Sequence, residues 1–393
     1  MGAITGTKVA VVRVSDFPDL ASAVAEALKL INADRIIQPG ERLLFKPNLL
    51  MKSINACTAA DFVEAAALAL RPYRVTLSLG DSPGQMGKTA RDIIKYTNIE
   101  QVMERENIRY TEFESSTVAV RNDNGRHMKS YHMSKAVHDA DVIVNLPRPK
   151  SHVEAAYTGA VKNFWGIIPG GEKAQCHLYG KDPNAFGNVI IDNYETMKNL
   201  GKKNIVIMDA RTVMEGLGGP AAGSLRKTGL IIAGTDDVAV DAIMLAIGGR
   251  DASRDVPHLR SCRERGIGTT DLGLIEVVGK SVESVRMKVK FNITSQGMMQ
   301  IATFFTGTFI YKMARRMPFL QKRECTMCGD CSKICPAKAI TWEKKQYPKT
   351  DYNQCISCLC CVECCPRHTI RAKFIGVRGL FLREPSISLP NAD

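Results

Sequence analysis

The sequence predicts an α/β fold: a mostly parallel sheet with helices on both faces, followed by a small cysteine-rich domain. From residue 8 to about residue 279, apolar runs of strand length alternate with amphipathic stretches of helix length. The runs are continuously apolar rather than alternating, which is typical of parallel strands covered on both faces. Ten of the thirteen cysteines lie between Cys325 and Cys365, so a second domain is expected near residue 324.

The predicted elements follow one another in a β–α rhythm that indicates parallel strands joined by helical crossovers. The seven predicted strands are Lys8–Val14, Arg42–Lys46, Val75–Gly80, Asp141–Asn145, Asn204–Asp209, Gly229–Gly234 and Leu274–Val278. The five predicted helices are Asp19–Asn32, Ala59–Leu70, Ala90–Glu104, Asp237–Ile247 and Val256–Arg265. Ligands of such sheets bind at the carboxyl ends of the strands, so a site is expected there.

Changes in composition divide the chain into four segments. They are an α/β domain over residues 1–285, a basic connecting segment rich in Met and Phe over residues 286–323, the cysteine-rich domain over residues 324–375 and a tail over residues 376–393. The net charge is +13, and the connecting segment holds eight basic residues and no acidic one. This segment either packs the two domains together or, over residues 298–320, makes a peripheral membrane contact as an amphipathic segment.

The sequence also predicts where the protein works. The first residues lack a basic stretch followed by a long apolar one, and no run of about 18 apolar residues is present to span a membrane, so a cytoplasmic location is expected. In a reducing compartment, cysteines serve as metal ligands more often than as disulfides. The thirteen cysteines therefore indicate a metal centre.

One four-cysteine pattern occurs twice in the cysteine-rich domain, as Cys325-x2-Cys328-x2-Cys331-x3-Cys335-Pro336 and as Cys355-x2-Cys358-x2-Cys361-x3-Cys365-Pro366. Three closely spaced thiolates reach three irons of a cube, and the fourth cysteine of each run reaches the other cube. The spacing predicts two [4Fe-4S] clusters, one on Cys325, Cys328, Cys331 and Cys365 and the other on Cys355, Cys358, Cys361 and Cys335. A structural zinc site is the disfavoured alternative.

The segment from Cys325 to about Ala372 resembles bacterial-type two-cluster ferredoxins. The resemblance implies a small α+β domain of two short hairpins and two helices that carries low-potential electrons, as in anaerobic metabolism. Its partner would be a redox protein, such as a reduced ferredoxin or flavodoxin. Cys360 and Cys364 lie outside the pattern and are expected to be inert buried thiols.

Four polar motifs of the α/β domain resemble a known family. They are Lys46-Pro47-Asn48, Asn145–His152, Thr158–Asn163 and Gly234–Asp241. Over roughly residues 7–280 the chain is similar to the family called domain of unknown function 362. The resemblance implies a ferredoxin-linked α/β protein and supplies no reaction.

The residues that could carry out a reaction are therefore sought among the charged residues near the strand ends. Six basic side chains would form a pocket for a carboxylate or a phosphate, namely Lys46, Arg148, Lys150, His152, Lys162 and His177. Four acids would orient these cations or exchange protons, namely Asp81, Asp209, Glu215 and Asp241. Catalytic roles are assigned to Lys46, Lys150, His152, Lys162, Asp81 and Asp209, with a histidine or a desolvated lysine as proton donor. The alternatives are helix capping by Asp81 and Asp237 and a divalent metal on His152, His177, Asp209 and Asp241.

Two functions remain open on this basis. In the first, the protein is an oxidoreductase that passes low-potential electrons from two clusters to an anionic small molecule in the α/β domain. In the second, it is an electron-carrier or assembly subunit that serves a separate catalytic partner through its basic segment. Nucleic acid binding is disfavoured, because the aromatic residues of that segment lie in an apolar run suited to packing.

Overall fold

The computed structural model describes residues 7–84, 88–152, 154–180, 182–216, 223–293, 316–367 and 369–374. These residues form two compact units, the first ending at residue 293 and the second beginning at residue 316. In the part of the chain that is described, no helix has both the length and the apolar character that crossing a membrane requires.

A ten-stranded sheet forms the centre of the first unit. In spatial order its strands are β12 (Ile275–Gly279), β1 (Thr7–Arg13), β11 (Ser224–Gly234), β10 (Lys203–Glu215), β7 (Val142–Leu146), β2 (Arg42–Pro47), β3 (Thr76–Leu79) and β4 (Arg109–Tyr110), while β8 (Lys150–His152) pairs with both β10 and β9 (Ala156–Thr158). Along this path only β11 runs antiparallel to its two neighbours, β1 and β10. The predicted mostly parallel sheet is confirmed.

Helices cover both faces of the sheet. On one face lie α1 (Leu20–Leu30), α2 (Ala60–Leu70), α3 (Ala90–Tyr96) and α4 (Ile99–Arg105). On the other lie α5 (Lys135–Asp139), α6 (Ala160–Asn163), α7 (Gly170–Cys176), α8 (Pro183–Asn199), α9 (Asp237–Ile247), α10 (Ala252–Asp255), α11 (Pro257–Arg265) and α12 (Val282–Val285). Alternate residues of β1 enter the two cores, with Val9 and Val11 in one and Ala10 and Val12 in the other. A strand buried on both faces needs apolar residues at every position, which explains its continuous apolar run.

Several elements depart from the sequence-based expectation. The single helix expected over residues 90–104 is two helices, because Asn98 adopts a left-handed conformation (φ 61°) between α3 and α4. β10 continues past Asp209 to Glu215, with a register shift between Ala210 and Thr212. Helix α8 and the hairpin of β5 (Thr117–Arg121) with β6 (Ser130–Ser134) were not anticipated.

The second unit is small and contains both helices and strands. It contains β13 (Arg316–Leu320), α13 (Asp330–Ile334), β14 (Ile340–Thr341), β15 (Lys349–Thr350), α14 (Cys360–Cys364) and β16 (Ile370–Phe374). β13 pairs with β16 and β14 with β15, both antiparallel. Residues 316–320, placed in the connecting segment by sequence, thus form a strand of this unit. Most of the proposed membrane-contact segment and the tail over 376–393 lie outside the described residues.

Candidate functional site

Charged residues named from the sequence lie in or after four neighbouring strands: Lys46 in β2, Asp81 after β3, Arg148 after β7 and Asp209 in β10. β10, β7, β2 and β3 are adjacent and parallel, so their carboxyl ends meet at one edge of the sheet. Lys46 of β2 stands beside Asn145 of β7, which stands beside Val206 of β10. The edge where ligands of such sheets bind is therefore built from the motif residues themselves.

A buried ion pair lies at this edge. The Lys46 ammonium contacts Asp81 Oδ1 at 2.7 Å, and both side chains are buried. The backbone N–H groups of Leu49 and Ser82 donate to the same carboxylate at 2.6 and 2.9 Å, so Asp81 is not a helix cap. Burial lowers the pKa of Lys46, and the negative charge of Asp81 opposes that shift. A Cβ on Gly166 would come within 2.0 Å of Asp81 Oδ1, so glycine is needed for this close approach.

Lys150 is also buried but has neutral partners. Its ammonium donates to Asn48 Oδ1 at 2.7 Å and to the carbonyl of Ala56. Burial lowers its pKa to about 7. Four neighbours act on it as well, with Lys162 and Arg148 lowering the pKa and Cys57 and Asp81 raising it. Lys150 can therefore change its protonation state near neutral pH.

Lys173 is a site residue that the sequence did not reveal. It lies in α7, is 7% exposed, and donates to the Ser82 carbonyl at 2.5 Å, to Ser82 Oγ at 2.9 Å and to the Pro83 carbonyl at 3.1 Å. Burial lowers its pKa to about 8, and Lys46 and Lys162 lower it further, against Asp81 and Glu114. We call Lys46, Lys150, Lys162 and Lys173 the lysine cluster. Asp81 acts on three of its members, Lys46, Lys150 and Lys173.

A chain of buried amides holds Lys150 in place. Asn48 Nδ2 donates to Asn163 Oδ1 and Asn163 Nδ2 donates to Asn145 Oδ1, both at 2.8 Å. Asn145 Nδ2 in turn donates to Asp237 Oδ1 at 2.7 Å. Each link joins two different polar motifs, at sequence separations of 115, 18 and 92 residues. These motif residues therefore position the lysine by hydrogen bonding to one another.

Two aspartates brace the helices around the cluster. Asp241 accepts hydrogen bonds from the N–H groups of Ala160 and Val161 at 2.7 and 3.0 Å, which fixes the start of α6, the helix that carries Lys162. Burial raises the pKa of Asp241 to about 7 and that of Asp237 to about 6. The helix cap considered for Asp237 is formed instead by Asp236, its neighbour.

Three sequence candidates have other partners. Arg148 donates to the carbonyls of Ile54 and Cys57 at 2.9 and 3.0 Å and so ties down the loop after β2. Asp209 pairs with Arg211 at 2.8 Å, and Glu215 pairs with Arg226 at 2.6 Å. The expected pairing of these two acids with the pocket lysines is not observed. Arg211, two residues further along β10, neutralises Asp209, and Arg226, on the paired strand β11, neutralises Glu215.

The two candidate histidines, His152 and His177, lie in different surroundings. His152 Nδ1 accepts the N–H groups of Glu154 and Ala155 at 3.2 and 3.1 Å, which leaves Nε2 as the nitrogen that carries the proton of the neutral ring. His177 stacks on Phe186 at 4.6 Å between ring centroids, and its Nδ1 lies 3.3 Å from Glu154. Among the described residues, no three His, Cys, Asp or Glu side chains are grouped to hold a single metal ion, so the divalent-metal alternative gains no support.

His258 of α11 is a second residue that the sequence did not reveal. It is fully buried, and among the described residues neither ring nitrogen has a hydrogen-bond partner. Burial lowers its pKa to about 3, and the charges of Lys162 and His152 lower it further. The ring therefore stays neutral next to the lysine cluster.

Replacing His258 with leucine is expected to make stability less sensitive to acid. A histidine whose folded pKa is depressed contributes stability above its unfolded pKa of about 6.5, and that stability is lost as the pH falls towards 3. Urea unfolding at pH 7 and pH 5 should show a drop in unfolding free energy about 2 kcal/mol larger in the native protein than in the variant. Equal drops in the two proteins would contradict a neutral buried ring.

Several cysteines of the second unit lie near one another, although no three of the described ones are placed to hold a single metal ion. One pocket is lined by Cys325, Cys328, Cys331 and Cys365. Burial raises the pKa of Cys331 to about 11, and the other three thiols of this set raise it further. Burial also raises the pKa of Cys361, with contributions from Cys358, Cys364, Cys355 and Cys335. The last cysteine of each run therefore lies near cysteines of the other run. That these thiols bind two clusters stays a prediction.

Backbone N–H groups point at several of these sulfurs. Cys335 Sγ accepts from Ala339 at 3.2 Å, and Cys365 Sγ accepts from Thr369 at 3.3 Å. Such bonds stabilise thiolates and tune the potential of a bound cluster. Gly329 has φ 80°, and a Cβ there would lie 2.6 Å from the Trp342 ring, so this glycine makes room for the tryptophan.

Comparison with known proteins places the first unit in a family. Residues 43–246 match the family described as domain of unknown function (DUF362), a narrower range than the resemblance over residues 7–280. A thylakoid-associated protein of Synechocystis is 32% identical over 238 residues, which cover 60% of this chain and 71% of that protein.

Other similarities are more limited. A stretch of 53 residues, 14% of this chain, is 36% identical to the pyruvate synthase subunit PorD of Methanocaldococcus jannaschii and spans 62% of that subunit. Among solved structures, the lactate racemase apoprotein of Thermoanaerobacterium thermosaccharolyticum aligns with 59% of this chain and 54% of its own, at 13% identity and a TM-score of 0.39.

Proposed function

The chain belongs to the DUF362 family, and we propose that it is an iron–sulfur oxidoreductase whose α/β unit binds and reduces a small anionic molecule. The observation that carries this proposal is the lysine cluster: four buried lysines at the carboxyl edge of the sheet, three of which are acted on by the charge of Asp81. Burial of a cation without a counter-ion is costly, so the two lysines whose hydrogen-bond acceptors are all neutral, Lys150 and Lys173, favour an anionic ligand.

The cofactors in this proposal are two [4Fe-4S] clusters. Their ligands would be Cys325, Cys328, Cys331 and Cys365 for one and Cys355, Cys358, Cys361 and Cys335 for the other. Two observations support this proposal: Cys325, Cys328, Cys331 and Cys365 line one pocket, and Cys355, Cys358 and Cys335 act on Cys361. N–H groups also point at the sulfurs of Cys335 and Cys365. When bound, the clusters supply single electrons at low potential. The electrons would come from a redox partner protein or from reduced ferredoxin or flavodoxin.

The α/β unit would hold the substrate and its protons. Lys46 stays paired with Asp81, and Lys150 and Lys162 bind the anion. Reduction by two electrons in successive steps takes up two protons. Lys150, whose pKa lies near neutrality, supplies one of them, while Nε2–H of His152 donates a hydrogen bond to the reacting group and solvent supplies the other proton. Asp209, tied to Arg211, has no direct part in this scheme.

Variants of Lys150 and His152 test the proposed site. Anaerobically reduced protein is mixed with a panel of small carboxylates and phosphate esters, and the return of the visible absorption of the oxidised clusters is followed. We expect one class of compound to re-oxidise the protein, and Lys150→Met and His152→Gln to slow this by about 100-fold or more while cluster absorbance is unchanged. Lys227→Met, at an exposed lysine, is the matched control. Unchanged rates in both site variants would remove the proposed site.

The alternative is an electron-carrier or assembly subunit serving a separate catalytic partner. The similarity to a protein named as a subunit of pyruvate synthase supports it. It predicts a salt-sensitive complex with a second protein and no small-molecule binding by the α/β unit. A cytoplasmic location with a peripheral membrane contact through residues 298–320 accords with either function, and the relative named as thylakoid-associated supports such a contact.

A further inference from the structure

The members of the lysine cluster act on one another electrostatically. Asp81 forms an ion pair with Lys46, and its negative charge also acts on Lys150 and Lys173. The charge of Lys162 acts on Lys150 and Lys173 in turn. Four cationic side chains therefore share one electrostatic neighbourhood in which Asp81 is the acid common to three of them.

The hydrogen-bond acceptors of two of these lysines are neutral. Lys150 donates to an amide oxygen and a backbone carbonyl, and Lys173 donates to two backbone carbonyls and a hydroxyl. Hydrogen bonds to neutral oxygens orient an ammonium group but do not cancel its charge. In the described part of the chain, neither ammonium group donates to an acid, so both are oriented for a counter-ion that a ligand would supply.

On the basis of the proposed function, we propose that the substrate is a small dianion, either a dicarboxylate or a phosphate, and that its binding adds protons to Lys150 and Lys173. A dianion matches the two ammonium groups whose hydrogen-bond acceptors are all neutral, whereas a monoanion leaves one of them without a counter-ion. Lys162 and Lys173 are 9% and 7% exposed, against 0% for Lys46 and 1% for Lys150, so an anion would approach the cluster from their side.

Proton uptake on binding follows from the protonation state of Lys150 and Lys173 in the ligand-free protein. Burial lowers the pKa of Lys150 to about 7 and that of Lys173 to about 8, so both are largely neutral above pH 8. The groups that act on Lys150 are Cys57, Lys162, Arg148 and Asp81, and those that act on Lys173 are Asp81, Glu114, Lys46 and Lys162. A bound dianion favours the charged form of each lysine and raises both pKa values, so protons enter with the ligand.

Isothermal titration calorimetry of the full chain tests this, with succinate, inorganic phosphate and propionate as probes. Titrations in buffers of different ionisation enthalpy count the protons taken up. We expect succinate or phosphate to bind at least about tenfold more tightly than propionate. Uptake should be between about one and two protons at pH 8.5 and less than about half a proton at pH 6.5. The preferred probe, succinate or phosphate, identifies the headgroup class.

Lysine variants distinguish binding at the lysine cluster from a general effect of the protein's charge. Lys173→Met should reduce dianion affinity and remove about one proton of uptake at pH 8.5, whereas Lys227→Met should change neither. Equal affinity for propionate, absence of binding by both dianions, or binding without proton uptake by the native protein would overturn the proposal. The native measurement needs no variant to fold. Protein that binds succinate with proton uptake but never re-oxidises its clusters would refute the proposed reduction alone.

Discussion

Replacing Asp81 with asparagine is expected to lower the free energy of unfolding of the α/β unit by about 3–5 kcal/mol near neutral pH, because it leaves the buried Lys46 ammonium without its counter-ion. The pair is at 2.7 Å and both side chains are at most 4% exposed. Asparagine keeps the size of the side chain, but Leu49 and Ser82 donate to different oxygens of Asp81, so one of these N–H groups also loses its acceptor. The loss therefore reports the missing charge and one hydrogen bond rather than a cavity.

The pH dependence and two controls give this prediction its specificity. Without Asp81, Lys46 must shed its proton on folding, so the deficit should shrink by up to about 1.4 kcal/mol per pH unit as the pH rises. Adding Lys46→Met to the Asp81→Asn variant should recover part of the loss. Asp123→Asn breaks a pair about 80% exposed and should cost less than about 1 kcal/mol. A double variant as unstable as the sum of the single changes would contradict a buried ion pair.

Replacing Cys361 with alanine is expected to remove about half of the bound iron, whereas replacing its neighbour Cys360 is expected to remove none. The two residues are adjacent in α14 and similarly buried, at 6% and 8% exposed, so they form a matched pair. Cys361 is grouped with the other three thiols of its predicted set, and Cys360 belongs to neither pattern. Loss of one ligand should open one cluster and leave the other.

Iron and acid-labile sulfide are measured together on anaerobically purified variants. The Cys361 variant should keep the visible absorption of one cluster, and circular dichroism should show that the α/β unit remains folded. Equal losses of iron in the two variants would contradict the ligand assignment, as would full iron retention in the Cys361 variant.

Much of the fold follows from the sequence because buried strands have a strong signature. The runs in β1, β2, β7 and β10 are apolar at every position, and each proves to face two cores. The extension of β10 was not predicted because Asp209 and Arg211 interrupt the apolar run, and their charges cancel by pairing within the strand. Helix α8 carries a recognisable start, Asp182 as the cap and Pro183 in the first turn, but Gly187 and the β-branched Ile190 and Ile191 weaken its helical pattern.

Some residues of the candidate site can also be predicted from the sequence, and others cannot. Lys46, Asp81 and Lys150 could be named because each follows an apolar strand, and strand ends mark ligand sites. Neither Lys173 nor His258 follows a strand. Each lies on a helix whose other polar residues are typical of a solvent-exposed face, so the sequence does not single them out. Their burial results from tertiary packing of α7 and α11 against the first unit's core. Residues of this kind can be found only from the folded chain.

The iron and acid-labile sulfide content of the native chain, purified without oxygen, tests the central claim most directly. Two [4Fe-4S] clusters predict about eight irons and about eight sulfides per chain, with paramagnetic signals that appear on reduction. Zinc in place of iron, or iron without sulfide, would contradict electron transfer through this chain and with it the proposed reduction.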